Sequence, residues 1–582
     1  MAPRAADRHI DRTIATHLHR LRKPGVLTVR PGYEIAGHQL TGRRAIVATV
    51  HTKKPLTDLR RGAALPQLIG GIPVDVREAS AYQRLRASDP LAAEVSQIYR
   101  RPEDAEPHWP LERELPSGKP LKSASSAAQR KLRAQLQAQP TAARALSAHR
   151  EKPELAYEPR GCPPLESLAI TARVTTAVSP DAGLVTLARF LGGTRSSLSI
   201  GMYDFTSAEI LRDVQGCLAA PGTLQLVLDD PAPNPTRDQT DAQTVQDLRQ
   251  ALGGRASIAW ALTRSDPFAS AWLFPSAYHI KVIVRDGSAV WLSSGNLNRS
   301  NEPDPSDPPS TEDRDWHVVV EDPALAGVFT AYLNYDHQQA ADHQLPDQPA
   351  IARAIEDAHA KRAAQTNPAP PADANGLARG AGAKRAPIAP GVFDDLSLRI
   401  TPLLTPDRLP GGQQGQYLAR ILGLIRGARD CIHIQMQYIE ASAGDGSPYD
   451  GLLQAIADQV AAHKDVRLIV SANYAEKWGE KMRDQGVDLT ASIRTLPNVH
   501  NKGFVIDAGT VVVSSQNFSP AGVGENRDAG LILESAQIAG YFAPIFARDW
   551  DASRPLVAPA PIGQGKARRQ AGSTRRPRRR QR

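Results

Sequence analysis

Two segments of the chain repeat one arrangement of chemically active side chains. In each, a histidine is followed two positions later by a lysine and, five positions further on, by an aspartate. The residues are His279, Lys281 and Asp286 in the first segment, and His500, Lys502 and Asp507 in the second. An imidazole can attack an electrophile or move a proton near neutral pH, and a lysine supplies positive charge. The repeated pattern therefore predicts chemistry on an anionic group.

A shorter pattern follows each copy at the same distance. Seven positions after each aspartate, segments 293–296 and 514–517 read Ser-Ser-Gly-Asn and Ser-Ser-Gln-Asn. Side chains two apart on a strand share a face, and Asp-Gly at 286–287 predicts a hairpin, as does the turn that ends at Gly509. Each hairpin would return its second serine and its asparagine to the side of the histidine and lysine. The predicted phosphate-binding residues are Ser294, Asn296, Ser515 and Asn517.

Each of these patches supplies half of an active site. A phosphodiester carries a negative charge that two lysines and several hydrogen-bond donors can hold. One neutral imidazole can attack phosphorus and form a covalent phosphohistidine, while the other protonates the departing oxygen. The two histidines must therefore meet, and we expect two related halves to pack about a pseudo-twofold axis, with the active site complete within a monomer.

The paired motifs resemble those of the phospholipase D superfamily, in which a His-Lys-Asp motif precedes a Gly-Ser-x-Asn element. Ser293 and Ser514 stand where the family usually has glycine. The resemblance implies a bacterial phospholipase D-like protein with a ping-pong mechanism and no metal ion or other cofactor. It implies that His279 is the nucleophile and His500 the general acid. Lys281, Lys502, Asp286 and Asp507 complete the expected catalytic set, in which the two aspartates fix the hairpins and lysines.

A histidine that attacks through one ring nitrogen needs a partner for the other nitrogen. Asp315 and Asp528 each follow an arginine beyond their motifs, and they resemble the acidic element that follows each motif in the family. We predict that these two aspartates orient the imidazoles. The alternative is that both are surface turn residues.

The excess positive charge lies at one end of the chain. The 582 residues carry a net charge of +9, but segment 566–582 alone holds nine Lys or Arg and no acidic residue. The rest of the chain is neutral by formal count. Such a tail cannot bury a core, so we expect it to be disordered. It could bind nucleic acid or anionic lipid, or have no partner.

Periodicity and composition divide the chain into units. Apolar residues have helical spacing around positions 184–191 and 418–425, and each stretch precedes two predicted strands, at 198–203 and 224–228 and at 431–438 and 466–470. The predicted fold is α/β with two related halves. The predicted units are a basic segment (1–23), a small α/β module (24–95), a partly helical linker (96–165), half 1 (166–350), a linker (351–395), half 2 (396–555) and a basic tail (556–582).

The substrate class stays open at this level. A phospholipid or membrane surface is the preferred partner, because both motifs share one long chain with a neutral body. The Arg-rich tail favours nucleic acid, and a binding protein without catalysis is a third possibility. The chain has no stretch of eighteen apolar residues and no signal-peptide pattern. We therefore expect a cytoplasmic protein, with peripheral membrane association as a possible addition.

Overall fold

The computed structural model describes fourteen stretches of the chain. They are 5–37, 39–59, 62–88, 109, 111–115, 157–219, 221–229, 239–261, 277–309, 311–342, 387–407, 415–444, 446–484 and 487–557. The basic tail from 558 onward and most of both predicted linkers lie outside the described residues.

The N-terminal module is a small sheet covered by a helix. Its strand order is β3-β4-β2-β1-β5. Its elements are helices α1 (Ala5–Thr16), α2 (Leu18–Leu21) and α3 (Ala81–Ser88), and strands β1 (Val26–Ala36), β2 (Gln39–Val50), β3 (Leu68–Ile69), β4 (Ile72–Glu78) and β5 (Arg113–Glu114). Ile10 and Ile14 of α1 are buried in the same core as Val29 and Ile46. The predicted boundary at residue 23 is therefore wrong, because the first helix belongs to this module.

The remaining elements form the two halves. Half 1 contains β6 (Leu168–Ser179), α4 (Gly183–Gly192), β7 (Ser197–Met202), α5 (Ala208–Cys217), β8 (Thr223–Leu228), α6 (Asp241–Leu252), β9 (Ala256–Trp260), β10 (Lys281–Arg285), β11 (Ala289–Ser293), β12 (Asp315–Glu321) and α7 (Pro323–Asp342). Half 2 contains β13 (Gly391–Thr405), α8 (Tyr417–Gly427), β14 (Cys431–Met436), α9 (Pro448–Ala461), β15 (Asp465–Ser471), α10 (Ala472–Arg483), β16 (Ile493–Leu496), β17 (Lys502–Ile506), β18 (Thr510–Ser514), α11 (Pro520–Gly524), β19 (Asp528–Glu534), α12 (Ala536–Ala552) and β20 (Arg554–Pro555).

The two halves have the same strand order. Read outward from the β6–β13 pair, one side runs β6-β12-β11-β10-β7-β8-β9 and the other runs β13-β19-β18-β17-β14-β15-β16, with β20 added at the edge. The outermost strands of each half are parallel and the inner ones antiparallel. The α/β class and the predicted strands are confirmed. The duplicated order is compatible with the expected pseudo-twofold relation.

One hydrophobic core belongs to both halves. Val282 and Trp316 of half 1 pack in the same cluster as Val505 and Phe542 of half 2. Two further clusters lie under the outer helices, one in each half. Each motif strand therefore has helices on both faces, as its run of buried apolar residues requires.

Buried ion pairs also cross between the halves. Arg527 of half 2 donates to both carboxylate oxygens of Asp336 on α7, at 2.7 and 2.9 Å, and both side chains are fully buried. Tyr157 and Tyr278 donate their hydroxyls to the same carboxylate. In the opposite direction, Arg314 of half 1 pairs with Asp549 on α12. Arg314 and Arg527 immediately precede Asp315 and Asp528, the two aspartates predicted to orient the histidines. The two ion pairs therefore hold the backbone next to these aspartates in place.

Replacement of Asp336 with asparagine is expected to destabilise the protein by about 3–5 kcal/mol, because it leaves the Arg527 charge buried without a counter-ion. The change is measured as the free energy of unfolding in urea. Asp307→Asn is the matched control, since its pair with Arg299 is largely exposed and is worth less than about 1 kcal/mol. Equal losses in the two variants would contradict a structural role for the buried pair.

The N-terminal module contacts helix α10 through the buried carboxylate of Glu480 and through Asp484. Glu480 accepts hydrogen bonds from the Arg30 and Arg77 side chains and from the backbone N–H of Tyr33. Asp484, one turn further along, accepts from the Tyr33 hydroxyl. The module is thereby joined to half 2. Within the described ranges, no helix is both long enough and apolar enough to span a bilayer.

Candidate active site

The two motif histidines immediately precede equivalent strands. His279 leads into β10 and His500 into β17, and both imidazoles are buried. Each motif lysine turns back toward its own histidine, so that Lys281 Nζ lies 2.6 Å from the carbonyl oxygen of His279 and Lys502 Nζ lies 2.5 Å from that of His500. Lys502 Nζ also lies 3.5 Å from the carbonyl oxygen of Ser294, in the other half. The structure thus brings both motifs together in one chain.

The carboxylates that hold the imidazoles are exchanged between the halves. His279 Nδ1 lies 2.8 Å from Asp528 Oδ1, and His500 Nδ1 lies 3.0 Å from Asp315 Oδ1. Both aspartates are fully buried, which excludes the alternative that they are surface turn residues. The backbone supports this crossing, since Arg527 N donates to Ala277 O and His500 N donates to Arg314 O. Each imidazole is therefore oriented by the half that does not carry it.

The two serines that the sequence predicts to bind phosphate donate hydrogen bonds to these carboxylates. Ser294 Oγ donates to Asp315 Oδ1 at 2.7 Å, and Ser515 Oγ donates to Asp528 Oδ1 at 2.6 Å. Each hydroxyl oxygen also accepts a hydrogen bond from a backbone N–H of the neighbouring strand, that of Trp316 for Ser294 and that of Ala529 for Ser515. The hydrogen of each hydroxyl is engaged with a charged acceptor, and direct phosphate contact by these serines stays a prediction.

The two predicted asparagines lie beside the same centre. Asn517 Nδ2 donates to Gln437 Oε1 at 3.1 Å, which adds Gln437 to the site. The backbone N–H of Asn296 donates to Asn301 Oδ1 at 3.0 Å. Sequence reasoning missed Gln437 and Asn301, although strand alternation at the end of β14 could have indicated Gln437. Asn296 and Asn517 keep their predicted role as proposed phosphate-binding residues.

The last residues of the two motifs lie away from the chemistry. Asp286 accepts backbone hydrogen bonds from residues 195–197, and Asp507 accepts them from residues 429–431. Both have positive φ values, 53° and 51°, which fit the predicted hairpin turns. A five-residue strand of roughly 16 Å separates each from its histidine. The expected catalytic and lysine-fixing roles of Asp286 and Asp507 are corrected, because each carboxylate anchors the start of the adjacent strand.

Charge is distributed unequally over the two His-Asp pairs. Burial and the neighbouring lysines hold the pKa of His279 well below its usual value and lower that of His500 to about 4. Burial alone would raise the pKa of Asp315, but its hydrogen bond with His500 and the charge of Lys502 lower it below the usual value. Burial raises the pKa of Asp528 to about 7. Asp315 is therefore the firmly ionised carboxylate of the two.

Two neutral imidazoles, each held through Nδ1, beside two buried lysines form a site for chemistry on a phosphodiester. This arrangement in a duplicated α/β fold is the one that the resemblance to the phospholipase D superfamily implies. Residues 421–550 match the family model described as "Cardiolipin synthase, PLD-like domain". That segment of half 2 is similar to a phospholipase D-like domain of this type, and the match confirms the resemblance drawn from the paired motifs.

Solved structures are similar to the chain at low sequence identity. Phosphatidylserine synthase from Haemophilus influenzae Rd KW20 is 14% identical over 66% of this chain and 87% of its own, with a TM-score of 0.43. Nuc from Salmonella typhimurium, a phospholipase D family member, is 18% identical over 31% of this chain and 96% of its own, with a TM-score of 0.22. No curated protein sequence matches the chain.

Proposed function

We propose that the protein is a metal-independent phosphodiesterase of phospholipase D type that hydrolyses or transfers phospholipid head groups through a covalent phosphohistidine. The observation that carries this proposal is the pair of buried His-Asp contacts, His279 with Asp528 and His500 with Asp315, at one centre with two lysines. Two observations support the preference for lipid. Half 2 matches a cardiolipin synthase-type model, and the chain outside segment 566–582 carries no excess positive charge.

The unequal carboxylates support His279 as nucleophile and His500 as general acid. A firmly ionised Asp315 stabilises an imidazolium on His500, whereas Asp528, with its pKa near 7, does so less for His279. A bound phosphodiester anion offsets the two lysine charges and raises the pKa of His500. His279 Nε2 then attacks phosphorus, and His500 gives its proton to the departing alkoxide. Neutral His500 next takes a proton from water, whose oxygen attacks the phosphohistidine.

Product release with phospholipid vesicles, in the presence of EDTA, tests this proposal. We expect the wild-type protein to release head groups and to keep its rate with EDTA, because the positive charge at the site comes from Lys281 and Lys502. An alcohol added as acceptor distinguishes transfer from hydrolysis. Dependence on a divalent cation, or absence of release from every vesicle composition, would overturn the proposed mechanism or substrate respectively.

A nuclease is the second candidate, favoured by one face of helix α10. Tyr474, Lys477, Trp478 and Lys481 recur there at helical spacing. Lys481 Nζ lies 5.6 Å from the ring centroids of both Trp478 and Trp109, and the face meets the Tyr438 ring beside Gln437. Alternating aromatic rings and cations are typical of surfaces that bind single-stranded nucleic acid. Here Tyr474 and the two lysines are partly exposed, and the buried Trp478 supports them.

Single- and double-stranded nucleic acid offered in parallel with the vesicles decides between the two candidates. Nucleotide release confined to active protein would favour the nuclease. The basic tail is proposed as a membrane-docking segment in the first case and a nucleic-acid contact in the second. A variant that ends at residue 565 should keep its turnover of bis-p-nitrophenyl phosphate in either case.

A further inference from the structure

Asp315 and Asp528 differ at a single carboxylate oxygen. Oδ1 of each accepts one imidazole and one serine hydroxyl, so these contacts are equivalent in the two halves. Oδ2 of Asp315 accepts from Asn301 Nδ2 at 2.9 Å. Oδ2 of Asp528 is buried and has no donor within ordinary hydrogen-bond geometry among the described residues. Asn526 forms at most a poorly aligned hydrogen bond with Asp528 that helps to lower its pKa, in contrast to the well-formed bond from Asn301 to Asp315.

The additional donor comes from a longer connection in half 1. The chain runs 19 residues from Asn296 to Asp315 but only 11 from Asn517 to Asp528. The longer connection places Asn301 in the site, where it is 1% exposed. Its side chain bridges three groups, since Nδ2 also donates to Asp313 Oδ2 at 3.0 Å and Oδ1 accepts from Asn296 N.

A glycine makes room for this bridge. A Cβ atom at Gly295 would lie 2.7 Å from Asp315 Oδ2, closer than real Cβ contacts come, and 3.0 Å from the Asn301 Cβ, which is tighter than most real contacts. At the equivalent position half 2 has Gln516, whose amide oxygen and nitrogen are both buried without a hydrogen-bond partner in the described part of the chain. Gly295 and Asn301 thus favour the bridge in half 1, and half 2 has no counterpart of either residue.

We infer that Asn301 is a positioning residue that assigns different roles to two otherwise equivalent histidines: by completing the hydrogen bonds of Asp315, it makes His500 the proton donor. The inference rests on the proposed phosphohistidine mechanism. Of the three acids clustered here, Asp315 holds the negative charge, because the pKa of Asp313 is raised to about 7 and that of Glu302 well above its usual value. An anionic Asp315 with both oxygens bonded favours a proton on His500.

Leaving-group dependence separates this role from a structural one. Departure of an alkoxide needs a proton from the general acid, whereas p-nitrophenolate leaves without one. In Asn301→Leu we expect turnover of a phosphatidylcholine-type alkyl diester to fall about 10-fold, as for loss of one hydrogen bond to a charged group, and that of bis-p-nitrophenyl phosphate to change less than about 2-fold. Ser306 lies in the same connection, and its hydroxyl donates to the exposed carboxylate of Asp304. Ser306→Ala should therefore change neither rate.

Asn301→Ala provides the same comparison without added bulk, should the leucine variant fail to fold. A selective loss with the alkyl diester supports the inference. Equal losses with both substrates, or no loss with either, would overturn it.

Trapping of the covalent intermediate from ³²P-labelled bis-p-nitrophenyl phosphate tests the premise separately. Label on His279 in the wild-type protein supports the inference, and label on His500 overturns it while leaving the phosphohistidine mechanism in place. Turnover without any labelled histidine would overturn the mechanism itself. The failure of the inference is thereby distinguishable from the failure of the proposed function.

Discussion

The His279→Ala variant is expected to lose turnover by at least about 10⁴-fold while remaining folded. The proposed nucleophile is His279 Nε2, which is buried and bonded to no described group, whereas its Nδ1 faces Asp528. Without it, no covalent intermediate can form, and the remaining lysines and donors only hold the substrate. The measurement is steady-state release of p-nitrophenol, with thermal unfolding to establish that the fold is intact.

The corresponding variant of the other histidine should fail at a different step. In His500→Ala, p-nitrophenolate can still leave, but water lacks its general base, so a burst of about one equivalent of product should precede slow turnover. His279→Ala should show no burst. His433→Ala is the matched control, because His433 bonds to Asp465 and stacks on Phe546 outside the site, and it should be fully active. A burst in His279→Ala would reverse the two assignments.

The second large effect is expected from Asp528→Asn, about 10³-fold in kcat, although the residue lies in the half opposite its histidine. An ionised Asp528 holds the proton of His279 on Nδ1 and leaves Nε2 free to attack. Because the pKa of Asp528 is raised to about 7, this arrangement is lost as pH falls through that value. The value of kcat/KM for the wild-type protein should therefore fall as the pH drops below about 7. This fall should be absent in Asp528→Asn.

Asp313→Asn identifies the group responsible for that decline. The pKa of Asp313 is also raised to about 7, but its carboxylate meets Asn301 rather than an imidazole. His279 does not titrate in this range, since its pKa is well below the usual value. We expect the acid-side decline to persist in Asp313→Asn. Its disappearance there, together with its retention in Asp528→Asn, would contradict the proposed role of Asp528.

Local patterns in the sequence predict much of this structure. Short runs of mostly β-branched and aromatic apolar residues predict β10 and β17, and the Asp286-Gly287 turn predicts the hairpin that returns Asn296 to the site. These features depend on residues close together in the chain, where strand period and turn geometry are decisive. The likeness of the two halves is equally visible, because each contains its own copy of the pattern.

Relations between the halves could not be predicted in the same way. The order of residues places Asp315 nearest to His279, yet the folded chain pairs it with His500. Nothing local encodes that exchange, which results from packing the two halves around one core. The burial of Asn301 could not be predicted either, because Asn301 lies in a polar, proline-rich connection whose composition is typical of an exposed loop. For Asp286 and Asp507 the motif pattern is misleading, because membership of a motif does not reveal which end of a strand faces the site.

The exchange of carboxylates also has a consequence for inheritance. A half that recombines with a foreign counterpart brings its own histidine but receives the orienting aspartate, and the aspartate opposite its buried arginine, from the other parent. The activity of such a recombinant therefore depends on a match between the two parents at these contacts. We therefore expect a substitution near Asp528 to require a matching change near His279, although the two residues are 249 positions apart in the chain.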